Sequence, residues 1–175
     1  MKKLLLFISS LFFSNINAQS EFDLETVLRM EKRDMIVMKI DSYLNKKSEY
    51  GEKIEKLNSS QQTFLFVENL EREINNGGFN QFYFNSSGDF CLETVNALLE
   101  IGAKKTAEIV KKANSEFKEE IVTKDRTKRQ NQLELIKKNA EDNWSKYNSE
   151  FYEYQDNLTE LLIVFVIKNK SDFKK

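Results

Sequence analysis

Residues Glu71–Phe90 read EREINNGGFNQFYFNSSGDF, and the reading of this stretch decides the fold. Three of the chain's five glycines lie in it, with aromatics and amides crowded between them. A helical pattern, Phe64, Val67, Leu70 and Ile74 at three- and four-residue steps, runs into it. That pattern stops at Asn76-Gly77-Gly78, where glycine can take the left-handed conformation that closes a helix. Phe79 to Phe84 then read as a short helix and Asn85-Ser86-Ser87-Gly88 as a turn. Asp89 is placed to cap a following helix whose core face uses Leu92, Val95, Leu98 and Leu99 and which Gly102 ends.

Outward from this centre the chain reads as all-α. It has no proline and few glycines, so little in it stops a helix. Upstream, Asp23 to about Lys46 is one long candidate with apolar positions at Leu24, Val27, Leu28, Met35, Met38 and Tyr43, spaced loosely enough to allow a break. Ser59 with Gln62 has the spacing of a capping box. Downstream, Lys104–Ala113 is a helix around Ala107 and Val110, and the charged run Glu119–Lys128 is a loop. A helix from about Arg126 to Tyr147 buries Leu133, Ile136, Ala140, Trp144 and Tyr147. A last helix spans about Glu150 to Asn169. Its β-branched run Leu161–Ile167 has strand character, but Tyr154, Leu158, Leu161, Leu162 and Phe165 extend a helical face. The expectation is one compact all-α domain of about six to eight helices over residues 19–175.

Residues 1–18 read as a cleaved export signal. Lys2 and Lys3 precede the apolar run Leu4–Phe13, and Ala18 stands at the expected cut before Gln19. The run is too short to span a bilayer, so no stable membrane anchor is expected after cleavage. The expected location is the periplasm or the exterior.

Removing Lys2 and Lys3 from the 27 basic residues leaves 25 against 28 acidic, a net charge of −3. No strong positive field remains, and direct nucleic-acid binding is not expected. Charge is segregated instead. Residues 67–103 carry −5, 104–138 carry +5 and 139–162 carry −5. Such runs are ordinarily solvated faces, and the functional reading is a bipolar surface that steers a charged partner.

Cys91 is the lone cysteine and histidine is absent. Ser-His-Asp and Cys-His catalysis and His-ligated zinc are therefore excluded. The sequence offers no cofactor fingerprint and no metal-ligand loop, and no residue is assigned a catalytic role. Cys91 reads as a buried structural residue.

The Gly-rich stretch resembles the family named after DNA mimic protein nineteen, a helical domain otherwise of unknown function. The resemblance rests on Gln61, Phe64, Glu73, Asn75 to Phe79, Gln81, Phe82, Phe84, Asn85 and Gly88, continues through Ala97, Leu98, Ile101, Gly102 and Ala103, and ends at Ala113 and Phe117. Its strong part covers Leu57–Phe117, with a weaker match at Phe151, Tyr152, Leu158, Leu161, Asn169 and Phe173. It implies a helical fold and, from the namesake, an acidic surface that imitates duplex DNA and captures a DNA-binding protein. The small net charge and the central basic block speak against that activity here.

The candidate site is the motif itself: Asn75, Asn76, Gly77, Gly78, Phe79, Gln81, Tyr83 and Asn85. One reading is architectural, with the glycines turning the chain and Phe79, Phe82 and Phe84 filling the core. The other is a groove lined by Asn76, Gln81, Tyr83 and Asn85, whose neutral amides suit recognition of a peptide or glycan better than proton transfer. The leading expectation is an exported, non-enzymatic helical protein that binds another protein. A carboxylate-dependent envelope hydrolase, with a pair such as Glu73 and Asp89, and an acidic DNA mimic stay open as alternatives. The identity of the partner and the oligomeric state are not encoded in any of these features.

Overall fold

The computed structural model describes residues 22–117 and 122–174. The expected export signal, residues 1–18, lies outside them, as do residues 119–121 of the expected loop. Among the described residues there are eight α-helices and no strand. They are α1 (Leu24–Leu28), α2 (Arg33–Lys47), α3 (Ser59–Phe84), α4 (Cys91–Ile101), α5 (Lys104–Asn114), α6 (Arg126–Tyr152), α7 (Leu158–Lys168) and α8 (Lys170–Phe173). Two short 3-10 turns, Ile54–Lys56 and Ser86–Phe90, flank α3. The all-α expectation holds, including α7, where helical periodicity overrides β-branching.

The centre of the molecule is α3, which packs against α2, α4 and α6. Its entry differs from the Ser59–Gln62 expectation by one residue. Asn58 is the N-cap, accepting from the Gln61 amide at 3.0 Å while the Gln61 side chain reaches back to the Asn58 amide. Both side chains also donate to the Asp172 carbonyl, and Ser60 donates to the Asp172 carboxylate. The first turn of α3 thereby holds α8, which buries Phe173 against Phe64 and Phe165.

Near its end α3 bends at the glycine pair. Gly78 has φ +70°, and a Cβ there would lie 2.4 Å from Asn148 Nδ2 on α6. Asn148 Oδ1 in turn accepts from the Phe79 amide at 3.0 Å, and the Tyr152 hydroxyl donates to the Ile74 carbonyl at 2.8 Å. Helix α6 therefore supplies hydrogen bonds on both sides of the bend. Beyond it, Phe79, Phe82 and Tyr83 are fully buried, and Tyr83 packs on Phe117 and Trp144.

Several expectations are corrected. The long N-terminal helix is broken into α1 and α2, and the core face of α2 is Ile36, Val37, Ile40 and Leu44, while Met38 is exposed. On α4, Leu92 and Leu99 are exposed, and Cys91, Thr94, Val95, Leu98 and Ile101 face inward. Asp89 does not cap α4. Its carboxylate is engaged by arginines of α6, and Phe90 occupies the cap position without a side-chain bond. Helix α6 runs on to Tyr152, and the last long helix begins only at Leu158. Cys91 is buried as expected.

Candidate functional site

The bend places a short chain of polar residues on one side of α3. Glu73, one turn before Gly77, accepts from three neutral donors: Gln81 Nε2 at 2.8 Å, Asn85 Nδ2 at 2.8 Å and Ser87 Oγ at 3.0 Å. The first two converge on the same oxygen, Oε2, because the chain turns back at Gly77-Gly78. A carboxylate held this way is a fixed acceptor.

Glu73 forms part of the wall of a cleft of about 430 Å³. That volume lies within the range of ordinary small-ligand sites, roughly 300–1,000 Å³. The opposite wall is Asn45 at the end of α2 and the turn Tyr50–Glu52, and Asn69 and Arg72 of α3 continue the floor. Ser86, Ser87, Asp89 and Phe90 close one end, with Arg126 of α6 beside them. The charges pair among themselves. Arg72 binds Asp41 at 2.7 Å and Arg126 binds Asp89 at 2.8 Å.

Asp89 is shared with a second arginine, Arg129, which is fully buried. All five N–H donors of Arg129 are used. Nε donates to the Tyr83 carbonyl at 2.7 Å, and Nη1 to the carbonyls of Thr123 at 2.9 Å and Lys124 at 3.3 Å. Nη2 donates to the Asn85 carbonyl at 3.0 Å and to Asp89. Gly88 is required above it, since a Cβ there would lie 2.7 Å from the Phe82 carbonyl and 2.9 Å from Arg129 Nε. The guanidinium is thus wrapped by carbonyls from the end of α3 (Tyr83, Asn85) and from the segment before α6 (Thr123, Lys124), with the Asp89 carboxylate of the NSSGD turn beside them, and this fixes the cleft's closed end.

The eight motif residues divide. Gln81 and Asn85 meet on Glu73 and hold the wall without lining the cleft. Gly77, Gly78 and Phe79 make the bend and the core beneath it. Tyr83 does not line a groove. Its ring is fully buried and its hydroxyl donates to Asn114 Oδ1 at 2.6 Å, because aromatic packing under the bend takes it inward. Asn75 donates to the Tyr154 hydroxyl at 2.7 Å, and Asn76 is exposed away from the cleft lining. Arg72, Arg126, Arg129, Asn148 and Tyr50 were not singled out by sequence. Burial pushes the Cys91 thiol up to about 12, which leaves it unreactive at neutral pH. Among the described residues, no three Cys, Asp or Glu side chains gather as metal ligands, and no helix is long and apolar enough to cross a membrane.

The family model for DMP19-like proteins matches residues 55–169. The chain belongs to the DMP19-like protein family. No curated protein and no solved structure matches it. The DMP19-like span takes in α3 to α7, and with them Glu73, the glycine bend, Asp89 and Arg129. Asn45, Tyr50 and Glu52 precede that span, so one wall of the cleft lies outside the part matched as DMP19-like.

Proposed function

We propose that this DMP19-like protein is an exported, non-enzymatic recognition protein whose partner is another protein. The observation that carries the reading is the state of the carboxylates in the cleft. Glu73 is held by three neutral donors and Asp89 lies between two guanidinium groups. Both are committed as acceptors to groups of the fold itself, an arrangement that fixes the shape and polarity of the cleft for binding. Export rests on the Lys2, Lys3, Leu4–Phe13 and Ala18 pattern, and predicts a mature chain starting at or near Gln19.

DNA mimicry is the weaker reading. It needs contiguous negative charge, and the basic block is laced into both acidic ones: Lys124 with Glu93, Arg126 and Arg129 with Asp89, and Lys112 with Glu150. The test is affinity capture from the native envelope, with Ser87→Trp as a variant that fills the cleft. A partner caught by the wild type and lost with Ser87→Trp at unchanged melting temperature is expected. Intact Met1 in the cytoplasmic fraction, or turnover of a peptide or glycan abolished by Glu73→Gln, would overturn the reading.

A further inference from the structure

The turn after α2 is built at an energetic cost that packing does not explain. Glu49, Tyr50 and Gly51 are three consecutive residues in the left-handed region, with φ of 52°, 59° and 89°. Glycine accepts that conformation freely, whereas for tyrosine it is strained. The strain is held in place by the Tyr50 amide donating to the Asn45 carbonyl at 2.7 Å and by the Gly51 amide donating to the buried Ser48 at 3.1 Å. Yet Tyr50 is 75% exposed, and among the described residues its ring makes no aromatic contact and its hydroxyl no hydrogen bond. A strained backbone that presents an unused aromatic ring at the rim of a cleft points to a ligand contact.

The cleft's chemistry narrows the ligand. Arg72 and Arg126 are each paired with a carboxylate, so neither calls for an anion. Glu73 is satisfied by neutral donors, so it does not call for a cation. What remains is the Glu52 carboxylate, an acceptor whose charge is felt by Arg126, and a mixed set of neutral positions. Asn45 spends its amide nitrogen on Asp41 and keeps its oxygen, whereas Asn69 spends its oxygen on Arg72 and keeps its nitrogen. The usual modes of peptide capture do not fit. Strand addition needs a sheet edge, a docked helix needs an apolar groove, and phosphopeptide capture needs unpaired arginines. A ring of C–H bonds edged with hydroxyls fits, since hydroxyls both donate and accept and a C–H face packs on tyrosine.

We propose that the cleft is a saccharide-binding site that takes one neutral sugar ring of a glycan, with Tyr50 stacked on the ring face and Asn45, Asn69 and Ser87 meeting its hydroxyls. This rests on the recognition reading above and narrows what the cleft meets on the partner to a sugar that the partner carries; titration with free sugars tests it apart from capture of the partner. Tyr50 precedes the family-matched span.

The test is titration of the full mature chain, by calorimetry and by amide NMR shifts. The probes are glucose, galactose, N-acetylglucosamine and their β-1,4-linked trisaccharides, with an acetylated and amidated tetrapeptide as the alternative. Binding of a neutral saccharide is expected, with shifts at Tyr50, Asn69 and Ser87. Tyr50→Gly is expected to weaken it about tenfold while the melting temperature is equal to or above that of wild type, since the strain is relieved. Ser87→Trp should abolish it. No saccharide binding by the wild type overturns the proposal, as does full affinity in Tyr50→Gly. Binding of the capped peptide alone at these residues overturns it too, and would assign the cleft to the protein partner.

Discussion

Arg129 is the residue on which the closed end of the cleft depends. It is a buried charge with one carboxylate partner and four backbone carbonyls drawn from two distant segments. Removing one member of such a buried pair leaves the rest uncompensated, at about 3–5 kcal/mol. Arg129→Ala is therefore expected to lower the unfolding free energy by that order in a denaturant titration, and Arg129→Lys to rescue little, because an ammonium cannot span the five acceptors. A loss below about 1 kcal/mol would mean that water replaces the guanidinium. Nothing local marked this residue. In sequence it sits in Arg126-Thr-Lys-Arg129, which has the composition of a solvated charge run. Its partners Tyr83, Asn85 and Asp89 are 40 to 46 positions away. Asn148, 69 or more residues from the bend it completes, was equally hidden. The glycines were legible because their constraint is in their own backbone, whereas the polar groups that exploit the bend are set by tertiary contact. Glu68 carries a different signature. Burial, reinforced by Glu71 and Asp41 and opposed by Arg72, pushes its carboxyl up to about 8 from the usual 4.5. Folding therefore takes up a proton there between those values. Stability falls as pH rises through that window, by at most about 1.4 kcal/mol per pH unit. Glu68→Gln is expected to flatten this slope and to raise the melting temperature at pH 8 more than at pH 5. Parallel pH profiles for the two proteins would rule it out.

At the scale of elements, α3 shows how one helix organises the rest. Its N-terminus is capped by Asn58, and the same side chain donates to the Asp172 carbonyl at 2.7 Å. Asn58→Ala loses both bonds and is expected to cost about 1–2 kcal/mol. Asn58→Asp keeps the capping acceptor and loses the donor, so it should fall between wild type and Asn58→Ala in a thermal melt. Equal melting of Asn58→Asp and Asn58→Ala would show that the cap itself contributes nothing. The helices were legible wherever one face was apolar at regular steps, as in α3 from Phe64 to Ile74 and in α7. They were misread where apolar residues surround the helix. On α2, Met35, Met38 and Tyr43 drew the core face to the wrong side, because Ile36, Val37, Ile40 and Leu44 form an equally good stripe. Choosing between two stripes requires knowing that α7 packs on α2. Asp89 failed as a cap for the same kind of reason, since two arginines of a later helix compete for it.

Over the whole molecule the three charge blocks are folded into contact. Helix α6 and the loop before it bring Lys124, Arg126 and Arg129 onto Glu93 and Asp89, and α5 brings Lys112 to Glu150. The surface is consequently a mosaic. The basic surface of a DNA-binding partner would have to meet lysines and arginines among the carboxylates, and those like-charge contacts would oppose docking. Exposed pairs of this kind stabilise the fold by only about 0–1 kcal/mol each, so their main consequence is the pattern they leave outside. On the proposed reading, the partner is expected to use a surface other than a DNA-binding one. In a competition experiment, an excess of duplex oligonucleotide is expected to leave the captured partner bound. Neutralising the mosaic by Lys124→Glu and Arg126→Glu should not improve capture. Displacement of the partner by duplex DNA, together with tighter capture by the charge-reversed variant, would instead show that the two acidic blocks act as one face despite the basic residues set between them.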